Sequence, residues 1–289
     1  MDITFQNISK RYKGKYALQN FSAELHEGVY GLLGANGAGK TTLINIFVGI
    51  LQRDSGRILI NGTDTESLGK DFLSQIGYMP QYPVFYPDFK VLDFLKYMCA
   101  LKGIPADLGH KRALELLEVV NLTDAKNKKI GALSGGMRQR VGIVQAMLGD
   151  PKILILDEPT AGLDPQERIR FRNLITKFSI GRTVLLATHI VSDVECIANE
   201  VLILKQGQLL RQKAISELED EIQGMVWLLT GTDTMDFAQF KDKQISNMQR
   251  QGNQISLRII AKEQPEATAV AVKPNLEDVF LYYFGGSSS

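Results

Sequence analysis

The sequence predicts an α/β fold: a mixed sheet with an antiparallel flank, an inserted helical subdomain, and a small α+β domain at the C-terminal end. Three observations lead there. The apolar runs Ile153 to Leu156 and Val184 to Ala187 read as strands buried on both faces, which a parallel sheet requires. Segments near the N-terminus alternate apolar and polar residues, as strands with one solvated face do. Between "GYMPQ" and "LGDPKILIL", helix-spaced apolar residues dominate.

Taken in order, the strand-like segments are "DITFQN" (2–7), "YALQNFSAEL" (16–25), "VYGLLG" (29–34), "GRILING" (56–62), "IGYMPQ" (76–81), "KILILDE" (152–158), "RTVLLATH" (182–189) and "VLILKQGQLL" (201–210). Helical spacing follows Lys40 and fills much of 91–148 and 165–199, with "VLDFLKYMCALKG", "KRALELLEVVNL" and "SGGMRQRVGIVQAMLG" as its clearest runs. After about Leu210 the pattern changes. "AISELEDEIQG" reads as a helix, and "MVWLLT", "ISNMQRQGNQISLRII" and "ATAVAV" as strands, with a hairpin turn at Gln251 to Asn253. The expected division is a core over 1–215 with a helical subdomain at about 82–150, and a small domain over 216–289 ending in a flexible "GGSSS" tail.

Composition narrows the function classes. The chain has 289 residues, 44% hydrophobic and 22% charged, which suits a globular protein rather than a disordered one. A formal charge of +1 gives no basic footprint for nucleic acid, so no nucleic-acid partner is expected. Two cysteines, Cys99 and Cys196, both in helical segments, make a disulfide framework improbable and favour a reducing compartment. The N-terminus "MDITFQNISK" lacks an apolar leader, and no run of 18 apolar residues occurs, so the chain is not expected to enter a membrane by itself.

The chemistry starts at "GLLGANGAGKTTLINIF". Gly34, Gly39, Lys40 and Thr41 satisfy G-x-x-x-x-G-K-[ST], in which bare backbone N–H groups curl around phosphate, the lysine reaches the terminal phosphates and the hydroxyl ligates magnesium. An apolar strand precedes the loop and a helix follows it, so the helix N-terminus also favours an anion. A flexible glycine turn is the alternative, and the strand–loop–helix context argues against it.

"KILILDEPT" ends an apolar strand on two adjacent carboxylates. Strand alternation points Asp157 and Glu158 in different directions, so they should do different jobs: Asp157 supporting a magnesium shell, Glu158 orienting and deprotonating an attacking water. An acidic strand end facing solvent is the bland alternative. In "LSGGMRQRVGIVQAML", Ser134 reads as an N-cap, and with Gly135 and Gly136 it opens an amphipathic helix; on its own this is a plain N-cap turn, and beside the other motifs it can form a second anion site. One triphosphate does not need two such helix ends from one chain.

The order of these motifs resembles the ATP-binding subunit of the ABC transporter family, a P-loop NTPase fold. "GANGAGKTT" matches Walker A, Gln81 in "GYMPQ" the Q-loop, "LSGGM" the signature, "ILILDEP" Walker B, "AGLD" the D-loop and His189 in "LATH" the H-loop; the likeness covers about 1–215. The resemblance implies that Gly34, Asn36, Gly37, Ala38, Gly39, Lys40, Thr41 and Thr42 hold ATP, with Tyr12 stacking on adenine and Tyr16 the weaker candidate. Thr41, Gln81 and Asp157 would attend Mg2+; Glu158, His189, Gln81 and Lys40 would serve hydrolysis. Two cassettes would face each other head to tail, as a homodimer or heterodimer, with Ser134, Gly135 and Gly136 of one completing the ATP site of the other and Asp164 communicating across the junction.

The implied assembly is peripheral to the cytoplasmic face of the cell membrane and powers transmembrane permease subunits. Met137 stands where glutamine is commonest and Ala161 where serine is, and every charged catalytic position is filled. "LEDVFL" near the C-terminus resembles the ABC-2 type exporter branch; an amphipathic helix docking the small domain is compatible with it. Tyr82, Phe85, Tyr86 and Phe89, interrupted by Pro83 and Pro87, are expected on a loop until about Val91, either folded onto their own subdomain or anchoring the permease. A soluble ABC-type switch acting on a non-transport partner is the alternative from another class, and a nucleotide-binding module without turnover is disfavoured by Glu158 and His189.

Overall fold

The computed structural model describes residues 1–232, 240 and 243–285. In chain order the first strands are β1 (Ile3–Tyr12), β2 (Lys15–Leu25), β3 (Gly28–Leu33), β4 (Ser55–Ile60), β5 (Thr63–Asp64) and β6 (Ile76–Met79). Then come β7 (Ile153–Asp157), β8 (Thr183–Thr188), β9 (Glu200–Lys205) and β10 (Gln208–Ala214). The last four are β11 (Val226–Thr232), β12 (Gln244–Gln251), β13 (Gln254–Ile260) and β14 (Val270–Ala271). The helices are α1 (Lys40–Phe47), α2 (Thr65–Leu68), α3 (Lys70–Ser74), α4 (Val91–Leu101), α5 (Ala106–Val119) and α6 (Gly135–Met147). They continue with α7 (Pro165–Ser179), α8 (Val191–Ile197), α9 (Ile215–Glu221) and α10 (Leu276–Phe284). Two compact units emerge: Met1–His189 with Cys196–Gln212, and Ile190–Glu195 with the chain from Lys213 onward.

In the first unit the strands lie in two sheets, β2-β1-β4-β5 and β10-β9-β3-β8-β7-β6. The first sheet pairs antiparallel throughout: Ile3 and Phe5 of β1 and Phe21, Ala23 and Leu25 of β2 alternate into the core, and register shifts at Asn7 and Asn20, both at φ 50°, bring Ile8 and Leu18 to it as well. Phe5 meets Phe21 edge-on at 5.6 Å and Phe47 of α1 at 4.9 Å, so the helix is held against this sheet by aromatic packing. In the second sheet β9, β3, β8, β7 and β6 are parallel, and every residue of β7 and β8 is buried.

Parallel pairing brings the carboxyl ends of four strands to one edge, where open α/β sheets bind ligands. Leu33 pairs with Thr188, Asp157 with Ala187, and Met79 with Leu156. The residues that follow are therefore neighbours: Gly34 after β3, His189 after β8, Glu158 after β7 and, two residues past β6, Gln81. The segment expected as one strand at 201–210 is two, because Gln206 and Gly207 take positive φ of 51° and 79° and turn the chain between β9 and β10.

In the second unit the sheet order is β12-β13-β11-β14, with Leu229, Ile255, Leu257 and Ile259 in its core. The turn expected at Gln251 to Asn253 joins β12 to β13, with Gly252 at φ 61°. Helix α10 is anchored through Asp278, wholly buried, which takes hydrogen bonds from Arg258 at 2.8 and 2.6 Å and from Ser246 at 2.6 Å. Apart from Gly285, the expected tail lies outside the described residues.

Candidate nucleotide site

The glycine loop after β3 closes on its neighbours. Gly39 adopts φ 110°, and a Cβ there would stand 2.4 Å from the Ala17 carbonyl, so only glycine allows the loop to lie against β2. Lys40 opens α1 and turns back: its Nζ donates to the Gly34 carbonyl at 2.6 Å and the Ala35 carbonyl at 3.4 Å. The ammonium is buried, and burial lowers its pKa against the opposing pull of Glu158 and Asp157.

A cavity of about 300 Å3 lies over this loop, bounded by Ala17, Ala35, Asn36, Gly37, Ala38, Gly39, Lys40, Thr41, Thr42, Gln81, Glu158 and His189. Asp157 and Glu158, adjacent in sequence, differ sharply in backbone. Strand alternation was the expected reason for their divergence, but β7 ends at Asp157 and Glu158 takes φ 48°, a left-handed conformation uncommon for glutamate. The turn, not the pleat, carries Glu158 to the cavity. Its N–H donates to the Ala187 carbonyl at 2.8 Å.

The Glu158 Oε2 atom lies 2.9 Å from His189 Nδ1 and accepts from the Thr188 hydroxyl at 3.1 Å. Asp157 is buried, and that burial, followed by the neighbouring Glu158 charge, pushes its pKa up to about 6 despite Lys40 and a hydrogen bond with Thr41. Burial, with Asp157 second, likewise pushes the Tyr78 hydroxyl on β6 up to about 12.

The remaining sequence-derived residues lie elsewhere. Tyr12 and Tyr16 are exposed on the hairpin of β1 and β2 and do not line the cavity; Tyr12 lies 6.0 Å from the Lys10 ammonium, and the Arg11 guanidinium lies 4.4 Å over the Tyr16 ring. Ala17, the next residue, does line it and carried no sequence signal. Ser134 caps α6 by accepting from the Met137 N–H at 3.3 Å, with Gly135 exposed and Gly136 buried. These three also stay outside the cavity of their own chain, and so does Asp164, whose carboxylate caps α7 through the Glu167 N–H at 2.9 Å. Glu167 went unnoticed in the sequence, yet it touches both motifs: its carboxylate abuts Gly136 and is held by Arg140 at 3.4 Å and Arg170 at 2.7 Å. Among the described residues no helix is long and apolar enough to cross a membrane.

A protein-family model described as ABC transporter matches residues 18–161. An ABC transporter ATP-binding protein of Bacillus subtilis is 36% identical over 79% of this chain and 76% of its own length. The chain belongs to the ABC transporter family. A Nod factor export ATP-binding protein I of Burkholderia orbicola is 32% identical over 98% of this chain and 97% of its own.

Among solved structures, an ATP-binding subunit of an ABC transporter superposes with a TM-score of 0.69 and 26% identity, over 76% of this chain and 93% of that one. A dimeric post-hydrolysis ATP-binding cassette bound to ADP and Pi superposes with a TM-score of 0.66 and 27% identity, over 73% and 98%. The chain thus has the P-loop NTPase fold of an ABC ATP-binding cassette, and it is an ATP-binding subunit that hydrolyses ATP. The family model's own match ends at residue 161, before Asp164 and His189.

Proposed function

We propose that this chain powers a separate transmembrane permease, an exporter, from the cytoplasmic face of the membrane, by dimerising around ATP and hydrolysing it. One observation carries the hydrolytic reading: Glu158 and Lys40 face one cavity from opposite sequence motifs, with His189 hydrogen-bonded to the glutamate. Lys40 and the N–H groups of Gly37 to Thr42 bind the phosphates, and Glu158 takes the proton from the water whose oxygen attacks the γ-phosphorus. ADP leaves as the terminal P–O bond breaks. His189, partnered with Glu158 in the free chain, reaches the γ-phosphate, and Gln81 at the same cavity wall reports the state of the site to the permease.

The donor set fits Mg2+. A short carboxylate and a hydroxyl adjoin at Asp157 and Thr41, and the strain of two neighbouring buried carboxylates favours a divalent cation. Thr41, Asp157 and Gln81 would hold it, and when bound it supplies charge neutralisation on the phosphates.

Placement supports the dimer. Ser134 and Gly135 form an exposed helix start that its own cavity does not use, so it is assigned to the nucleotide of a second cassette, with the Tyr12 hairpin left to receive adenine. Export is supported by the likeness to the Nod factor export protein and by "LEDVFL" on α10. Glu158→Gln tests the chemistry: it should retain ATP binding while turnover falls at least 100-fold, in the range expected for loss of a general base. Near-normal turnover would remove Glu158 from the role of base.

A further inference from the structure

We propose that Thr188 is a positioning residue for hydrolysis, fixing one oxygen of Glu158 so that the other is presented to the attacking water; this rests on Glu158 acting as the base. Thr188 is the last residue of β8, fully buried, with β3 on one side and β7 on the other. Its hydroxyl donates to Glu158 Oε2 at 3.1 Å. The same oxygen receives the His189 backbone N–H at 3.4 Å and faces His189 Nδ1 at 2.9 Å. Among the described residues, every side-chain hydrogen bond to Glu158 falls on Oε2. Oε1 is left as the available acceptor on a carboxylate that lines the cavity.

A glutamate has three side-chain torsions, and a base must hold its oxygen within hydrogen-bond reach of the water it deprotonates. Glu158 is tied to β8 at both ends: its N–H to the Ala187 carbonyl, its Oε2 to Thr188. The two side-chain partners are not equivalent. The His189 side chain is 53% exposed at the cavity, so its ring can reorient when a nucleotide enters. Thr188 cannot, because its strand is paired on both sides and β-branching restricts its χ1. The threonine hydroxyl is therefore the constant partner and the histidine the variable one.

The experiment compares Thr188→Val, Thr188→Ala, Thr188→Ser and Glu158→Gln in the full chain, measuring ATP affinity, KM, kcat and the thermal midpoint. Loss of a hydrogen bond to a charged group predicts that the valine and alanine variants lose roughly 10- to 100-fold in kcat. KM and ATP affinity should stay within about twofold, since uniform binding is untouched. Serine, which restores the hydroxyl without the methyl, should recover most of kcat. If Glu158→Gln is inactive while the alanine and valine variants turn over normally, Thr188 is a core residue and this inference alone falls. Serine as slow as valine also overturns it, since the methyl and not the hydroxyl would then matter. An active Glu158→Gln overturns both this inference and the reading of Glu158 beneath it. Should valine fail to fold, the serine and alanine pair decides by the same criteria.

Discussion

The carboxylate of Glu167 fills the space that a Cβ on Gly136 would need: Oε2 would stand 2.6 Å from it, and Cδ and Cγ 2.9 Å. Gly136 lies in the first turn of α6, and Glu167 in the first turn of α7, where its N–H meets Asp164. One residue therefore joins the helix start of the "LSGGM" motif, through its carboxylate, to the end of "AGLD", through its backbone N–H. Arg140 and Arg170 hold that side chain in place, the former from α6 itself.

Gly136→Ala sets two effects against each other. Alanine in place of glycine in a helix gains up to about 1 kcal/mol. Against that, Glu167 must withdraw and weaken two partly buried ion pairs. In the Glu167→Ala background there is nothing to displace, so the same glycine substitution should then be stabilising. A double-mutant cycle on unfolding free energy should give a coupling of about 1 kcal/mol, within the range seen for touching residues. Strict additivity would show that Gly136 and Glu167 do not constrain each other.

Much of the site was legible because phosphate binding imposes a fixed spacing on Gly34, Gly39, Lys40 and Thr41, and because the apolar runs Ile153 to Leu156 and Val184 to Ala187 mark β7 and β8 as central strands. What escaped has physical reasons. Ala17 borders the cavity through its location on β2, and an alanine carries no pattern of its own. The path of Glu158 depends on a positive φ that no periodicity announces. Thr188 reads as an ordinary β-branched strand residue until its hydroxyl is seen against Glu158, and Glu167 as an ordinary helical surface acid until its carboxylate is seen against Gly136. Tyr12, which the family pattern points to, is on an exposed hairpin of this chain and outside the cavity lining, because the pattern fixes its place in the chain and not its surroundings.

Asp157 gives a pH prediction with a definite sign. Its pKa is about 6 when folded, against an ordinary value of 3.8, so the folded chain binds the proton more tightly and ionisation of Asp157 costs stability. The cost is absent below about pH 4, grows between about 4 and 6, and is complete above 6. Two units correspond to about 3 kcal/mol as an upper figure. Asp157→Asn removes that charge and keeps the shape. Without nucleotide or metal, the variant should melt above the parent at pH 8, by about 1–3 kcal/mol of stability, and the two should converge near pH 4. A difference that is flat in pH, or largest at acid pH, would reject the raised carboxylate.

The aromatic loop before α4 splits into two kinds of residue, and the split sharpens the expected permease contact. Phe85 is half-buried and meets the buried Phe94 edge-on at 5.5 Å, so it belongs to the helical core. Tyr86, Phe89 and Tyr97 cluster at 5.3 to 6.0 Å, and the chain beneath them is tied down where Ile130 donates to the Phe89 carbonyl and Gly131 to that of Pro87. Tyr82 and Val84 stand apart, 79% and 82% exposed, one and three residues past Gln81. An aromatic ring that exposed contributes almost nothing to folding, while aromatic anchors dominate interface energy. Tyr82→Ala should therefore leave the thermal midpoint and basal ATPase of the free chain unchanged and lower both transport and permease co-purification. Phe85→Ala should cost about 3 kcal/mol or somewhat less of stability, as a part-buried core truncation does. If Tyr82→Ala co-purifies and transports like the parent while Tyr86→Ala does not, the contact lies on the Tyr86, Phe89 and Tyr97 cluster instead. If neither variant changes transport or co-purification, this loop does not carry the permease contact.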